Sequence, residues 1–167
     1  MDIRRLIASD AADYRVLRLR ALREHPQAFT SSFEEVQQQP PEVMQQRLEN
    51  PGQKVWGAFD SQRLCGYVGL DRETRAKNRH KACVAGMYVE PEQAGRGTGR
   101  ALLEALLQEA RRDGLELLVL TVTEGNSGAI QLYERCGFKS FGVEPGAIKV
   151  DGHAYSKNHM YLHLTPS

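Results

Sequence analysis

The period of the apolar positions changes several times along the chain, and each change predicts an element. Residues 3–7 predict a short strand. Ser9 and Asp10 then offer helix-capping oxygens, and Tyr14, Leu17, Ala21 and Leu22 follow at helical spacing. The helix should end near Glu24, because the residue before a proline avoids helical backbone and His25-Pro26 comes next. Gln37-Gln38-Gln39-Pro40-Pro41 reads as a short connection. Pro41 suits the first turn of a second helix carrying Val43, Met44 and Leu48, which Asn50-Pro51-Gly52 stops. Residues 54–59 and 64–70 predict strands around the turn Asp60-Ser61-Gln62, and the charged stretch 71–81 predicts a solvated hairpin tip. Residues 81–89 are apolar and rich in strand formers, so they predict a central strand, with Gly86 marking a bulge or a close backbone approach.

The second half is more regular. Ala101, Leu102, Leu103, Ala105, Leu106, Leu107 and Ala110 make one apolar stripe of a helix that Asp113-Gly114 ends. Residues 117–122 are apolar on both faces, as buried parallel strands are. Residues 126–136 predict a helix stopped by Gly137, and 138–143 with 154–164 predict a closing pair of strands. The expected fold class is α/β: one domain over residues 1–167, with a mixed central sheet of about six or seven strands flanked by about four helices.

Charge and cysteines narrow the function classes. Lys plus Arg is 22 against 21 for Asp plus Glu, a net charge of +1, which argues against nucleic acid as a partner. The longest apolar stretch, residues 82–89, falls far short of the roughly 20 residues of a membrane span. The first residues lack the apolar core of a secretory signal. Cys65, Cys83 and Cys136 form no C-x-x-C pair, so no zinc ribbon or redox motif is available. Three free thiols suit a reducing compartment, and a cytoplasmic location with no membrane partner is expected.

Gly95-Arg96-Gly97-Thr98-Gly99 lies between a predicted strand and a predicted helix. Glycine allows positive φ and close approach of the backbone to a ligand, and a helix N-terminus supplies unpaired N–H groups. Together they make a seat for a pyrophosphate, with Arg96 and Arg100 adding charge beside it. The chain has no Gly-Lys pair, so this is not a Walker A loop. It is not G-x-G-x-x-G either, because the last position falls on Arg100 or on Leu102.

The wider context is Tyr88-Val89-Glu90-Pro91-Glu92 before the loop, Leu102-Leu103 after it, and later the run from Asn126 through Leu132-Tyr133-Glu134-Arg135-Cys136-Gly137-Phe138. This combination resembles the GCN5-related N-acetyltransferase superfamily, most strongly over residues 82–141. Residues 25–35 look like the acceptor-side segment of small bacterial members, and 147–152 with Met160 look like their closing strands. The resemblance implies acetyl-CoA as co-substrate and direct transfer to an amine in a ternary complex. It implies that backbone groups of Met87, Tyr88 and Val89 face the pantetheine arm and thioester. The N–H groups of Gly95, Arg96, Gly97, Thr98, Gly99 and Arg100 would hold the pyrophosphate, Asn126 would bond the pantetheine region, and Tyr133 would protonate the leaving thiolate. One departure is Ala94, where the family commonly carries Gln or Arg; the cradle then relies on backbone.

Residue chemistry agrees. Asn126, Ile130 and Tyr133 fall at i, i+4 and i+7 of a helix. A phenol with an ordinary pKa of about 10 stays protonated at neutral pH and can donate to a thiolate. An alkylammonium acceptor must also lose a proton before it attacks. Residues 81–89 hold no carboxylate, and Glu90 stands at the strand end. Glu34 and Glu35 could serve as base or bind a cationic acceptor, or be ordinary first-turn helix acids; Glu124 is a further candidate. Phe29 and Ser31 belong to the expected acceptor segment, and His159 is a candidate acceptor contact. His153, His159 and His163 share a face of the last predicted strand, yet lack zinc-ligand spacing, so no metal is expected. Cys136 and Trp56 read as core. The expected partner is a small-molecule amine. A protein amine, or a regulatory module that only binds acyl-CoA, are the alternatives. Exposed sheet edges could also pair two copies into a homodimer.

Overall fold

A computed structural model describes residues 1–165. The elements run β1 (Asp2–Arg5), α1 (Ala11–Glu24), α2 (Phe33–Gln38), α3 (Pro41–Glu49), β2 (Gln53–Asp60), β3 (Arg63–Arg72) and β4 (Lys81–Val89). Then come α4 (Thr98–Arg112), β5 (Leu117–Thr123), α5 (Ser127–Arg135), β6 (Lys139–Val150) and β7 (His153–His163). Seven strands form one sheet in the order β1-β2-β3-β4-β5-β7-β6. Every neighbouring pair is antiparallel except β4–β5, which is parallel and joined through α4. The mixed sheet expected from the sequence is therefore present.

Alternation along the strands builds two cores. Val55 of β2 and Tyr67 of β3 face α1 and α3, where they meet Tyr14, Leu17, Met44 and Leu48. Trp56 and Val68, one residue on, face the opposite core of Leu102, Leu103 and Leu106 of α4. Those three leucines are buried to 0% exposure, each contributing roughly 1.5–3 kcal/mol of burial.

The differences from the sequence reading are local. α2 is an additional helix; Ser32 and Glu35 close a capping box at its start, the Glu35 N–H donating to Ser32 Oγ at 3.1 Å. Asp10 does not cap α1. Its carboxylate accepts from the Ile7 N–H at 2.8 Å, holding a short 3-10 turn (Ala8–Asp10) that precedes the helix. The β2–β3 hairpin turns through Ser61 and Gln62, both at positive φ (49° and 71°), a two-residue turn made without glycine.

Two features open the sheet. Gly86 has φ of +67°, and the β3–β4 register shifts between Tyr67 and Gly69, so β4 carries the expected bulge. β4 and β5 pair only through Lys81–Cys83 and Leu117–Val119. Beyond that point β4 stays with β3 as far as Val89, whereas β5 stays with β7 as far as Thr123. The sheet therefore splays open between its two central strands.

Candidate active site

The splay leads into a cleft of about 960 Å³. One wall is β4, with Met87, Tyr88 and Val89. The floor of one end is the glycine loop, contributing Ala94, Gly95, Gly97, Thr98, Gly99 and Arg100. The opposite wall carries Thr123, Glu124 and Asn126, followed by Ala129, Leu132 and Arg135 of α5. The other end is closed by the strap of residues 25–29 and by Tyr155 of β7.

The loop geometry follows from its glycines. Gly95 and Gly97 sit at φ of +78° and +74°, where a side chain is strained. A Cβ at either position would meet nothing within 4 Å. Gly97 is the N-cap of α4 and offers no side-chain cap. The first intrahelical bond runs from the Ala101 N–H to the Gly97 carbonyl, so the N–H groups of Thr98, Gly99 and Arg100 have no helical acceptor. Three free donors and the positive end of a 15-residue helix dipole sit at the cleft. Arg96 does not join them: its guanidinium donates to Gln93 at 3.2 Å and lies 3.8 Å from Asp60. Arg100 lines the cleft but is paired with Glu104 at 2.8 Å.

The α5 wall departs from the expected face. Asn126 is the N-cap, its Oδ1 accepting from the Ala129 N–H at 3.4 Å, so its amide nitrogen remains available to the cleft. The cleft-facing stripe of α5 is Gly128, Ala129, Leu132 and Arg135. Tyr133, the acid implied by the resemblance, is not among the residues lining the cleft: it is 7% exposed in the core under α5, with its ring edge-on to Phe138 at 5.8 Å. Burial pushes its phenol above the usual range, so the proton is held at any physiological pH.

Carboxylates divide between structure and site. Glu90, at the strand end by sequence and expected there as a solvated turn residue, is instead 5% exposed, 2.8 Å from Arg63 and 3.2 Å from Arg20. It clamps the end of β4 and is absent from the cleft lining. Arg20 also binds Glu24 at 2.9 Å and Glu92 at 2.7 Å. Tyr88 donates its hydroxyl to Glu24 at 2.9 Å; burial, then that bond, raises the phenol out of its usual range. Glu35 is spent in the α2 capping box, and His159 pairs with Glu144 at 3.0 Å away from the cleft. Among the described residues no cluster of metal ligands occurs, and His153, His159 and His163 do not form one.

Phe29, Ser31 and Glu34 meet at a second cavity of about 350 Å³ beside the cleft, and Phe29 lines both. Arg23, Lys149 and Asp151 also line it. His25 and Arg135 line the cleft and fall in the two segments that carried the resemblance, although neither was given a role. Tyr155 also lines it, and the strand pattern around it gave no functional signal.

The model of the acetyltransferase (GNAT) family matches residues 19–138. The chain belongs to that family. Among its relatives, the N-alpha-acetyltransferase RimI of Mycobacterium tuberculosis is 33% identical over 113 residues, covering 68% of this chain and 69% of the relative. The L-methionine sulfoximine/L-methionine sulfone acetyltransferase of Pseudomonas aeruginosa is 36% identical over 81 residues, 48% of this chain and 47% of the relative. The match thus spans about half the length of that relative. In fold, the chain is similar to the ribosomal-protein-alanine N-acetyltransferase of Brucella melitensis, with a TM-score of 0.86 at 23% identity over 98% of this chain and 100% of that one. It is also similar to yncA from Salmonella typhimurium, whose structure contains acetyl-CoA, with a TM-score of 0.82 at 24% identity over 100% and 95% of the two chains.

The cleft fits acetyl-CoA, the cofactor present in the yncA structure. The free N–H groups at residues 98–100 suit a pyrophosphate. The β4 backbone beyond Cys83, unpaired with β5, suits an extended amide-bearing arm.

Proposed function

We propose that the protein transfers the acetyl group of acetyl-CoA to an amine of a small molecule by direct attack in a ternary complex. The observation that carries this reading is the continuity of one cleft from the free helix N-terminus at residues 98–100 to the strap at 25–29. Both substrates can be held at once along it. Bound acetyl-CoA supplies a thioester, an activated acyl group that an uncharged amine can attack.

The chain's own groups have separable tasks. The N–H groups of residues 95–100 hold the pyrophosphate, and backbone groups of Met87, Tyr88 and Val89 align the thioester arm. Asn126 contributes its free amide nitrogen. Tyr133 is assigned the proton for the departing sulfur by its match to the family motif; burial keeps that proton on at neutral pH and also makes the phenol a weaker acid. Phe29, Ser31 and Glu34 form the acceptor side. Charges of both signs lining the small cavity (Arg23 and Lys149, Glu34 and Asp151) favour a polar, compact acceptor such as an amino-acid derivative. The relative that acetylates L-methionine sulfoximine points the same way. A peptide α-amine is the second reading, favoured by the similarity to an N-alpha-acetyltransferase over about two thirds of both chains. Three free cysteines are consistent with a cytoplasmic enzyme.

The test is thiol release from acetyl-CoA against amino acids, polyamines, aminoglycosides and N-terminal peptides, with Tyr133→Phe alongside. The expected result is release with an amino-acid-type acceptor and a loss of about 10²-fold or more in kcat for the variant at unchanged acetyl-CoA affinity. Tight acetyl-CoA binding without release on any acceptor would overturn the enzymatic reading in favour of a sensor.

A further inference from the structure

An alkylammonium must surrender a proton before it can attack, and the cleft restricts what can take it. Its titratable side chains, among the described residues, are His25, Tyr88, Arg100, Glu124, Arg135 and Tyr155. Guanidiniums and phenols are protonated at neutral pH and accept no proton there. Within the cleft His25 and Glu124 remain; Glu34 lines the adjoining small cavity and not the cleft. Glu90, Glu24 and Glu35 are engaged elsewhere, by Arg63 with Arg20, by Arg20 with Tyr88, and by the Ser32 backbone.

His25 stands on the strap at the acceptor end, between α1 and Gln27–Phe29. Its backbone is pinned on both sides: its N–H donates to the Ala21 carbonyl at 2.9 Å, and its carbonyl accepts from the Ala28 N–H at 3.0 Å. Its ring lies against Tyr88 of β4, with centroids 6.2 Å apart. The groups around it are Glu24 on α1, Tyr88 on β4, and Glu124 and Tyr155 elsewhere on the cleft lining. Glu124 is exposed at the end of β5, beside the Gly125-Asn126 turn and on the α5 side of the cleft. An imidazole is also better matched than a carboxylate to deprotonating an amine near neutral pH.

We infer that His25 is the general base that deprotonates the acceptor amine. This rests on the acetyl-transfer reading above. A ring nitrogen of His25 takes one proton from the acceptor ammonium and passes it to solvent. The freed lone pair forms the C–N bond as the C–S bond breaks. Tyr133 gives its phenolic proton to the sulfur and is reprotonated by the second proton that the acetylated nitrogen sheds. The net change is one amide, one thiol and one proton released.

The experiment compares two probes, ethylamine and methoxyamine, added at high concentration to wild type, His25→Gln and Glu124→Gln. Ethylamine is protonated at pH 7 and needs a base, whereas methoxyamine is already neutral. His25→Gln should lose about 10²-fold or more in kcat/KM with ethylamine, little with methoxyamine, and should lose the acid limb of its pH profile. Its acetyl-CoA affinity, measured by calorimetry, should match wild type, which separates the effect from misfolding. An equal loss with both probes would make His25 a positioning residue and overturn the proposal. So would a selective loss confined to Glu124→Gln, or no loss in either variant. Thiol release by wild type with neither probe, nor with any acceptor of the panel, would instead overturn the acetyl-transfer reading on which the inference stands.

Discussion

Asp10 shows how one carboxylate can be spent twice. Arg4 donates to both of its oxygens at 2.9 Å, and the Ile7 N–H donates to one of them at 2.8 Å. The Arg4 bonds first, and then the Ile7 N–H, hold the carboxyl below its ordinary range. Folding therefore favours the charged form. That contribution is complete above the unfolded value, near pH ~4, and is lost as the pH falls through the lower folded value. Arg4 is half exposed, so solvent screening keeps the effect to about 1 kcal/mol. Asp10→Asn should be less stable than wild type by that amount at neutral pH. Urea midpoints of the two proteins should converge as the pH is lowered below about 3. A gap that stays constant with pH would mean the carboxylate's charge is irrelevant and only its shape matters.

At the scale of elements, the glycine loop and α4 act as one unit. Gly97 holds φ of +74° with open space where a Cβ would go, so Gly97→Ala meets no clash and costs only backbone strain, about 1–2 kcal/mol. Relief of that strain would turn the first turn of α4 and misdirect the N–H groups of residues 98–100. The expected outcome is a lower unfolding midpoint together with about a tenfold weaker acetyl-CoA affinity, equal to ~1.4 kcal/mol, with acceptor KM unchanged. Calorimetry and thermal unfolding of the variant check both halves. The loop was legible in the sequence because glycine spacing and the leucine stripe of α4 are local signals. The strand order was not legible, because pairing between strands distant in sequence leaves no local signal, and α2 was hidden because its six residues carry a single buried apolar side chain, Val36. Its Ser32–Glu35 capping box was the available cue. The cleft face of α5 was misjudged for another reason: periodicity groups Asn126 with Tyr133, but Tyr133 packs on Phe138 in the core, and Leu132 and Arg135 line the cleft. Helical spacing gives which residues share a stripe, and only tertiary contacts say where the stripe points. Glu90 shows the same limit, since its partners Arg20 and Arg63 are distant in sequence.

Across the whole molecule, the acceptor end depends on contacts that join the two halves of the chain. Thr123, at the end of β5, donates its hydroxyl to the Gln27 carbonyl at 2.7 Å. Lys157 of β7, cross-strand from Thr123, donates to Thr30 Oγ1 at 2.9 Å, and Arg18 of α1 donates to Ser31 Oγ at 3.2 Å. The first two bonds tie the strap to β5 and β7 and the third ties it to α1, and together they hold the segment that carries His25 and Phe29. The donor substrate's loop lies at the other end of the cleft and shares none of them. Thr123→Val keeps the side chain's volume and removes one pin, with a net cost of about 0.5–1.5 kcal/mol. Only the strap should loosen. Hydrogen exchange over residues 25–31 should accelerate about fivefold, the ratio that a loss of ~1 kcal/mol gives, while the α4 amides keep their protection. Acceptor KM should rise and acetyl-CoA affinity should hold. If both substrates weaken together, the strap and the pyrophosphate loop move as one body, and the two ends of the cleft are mechanically coupled through the splayed strands.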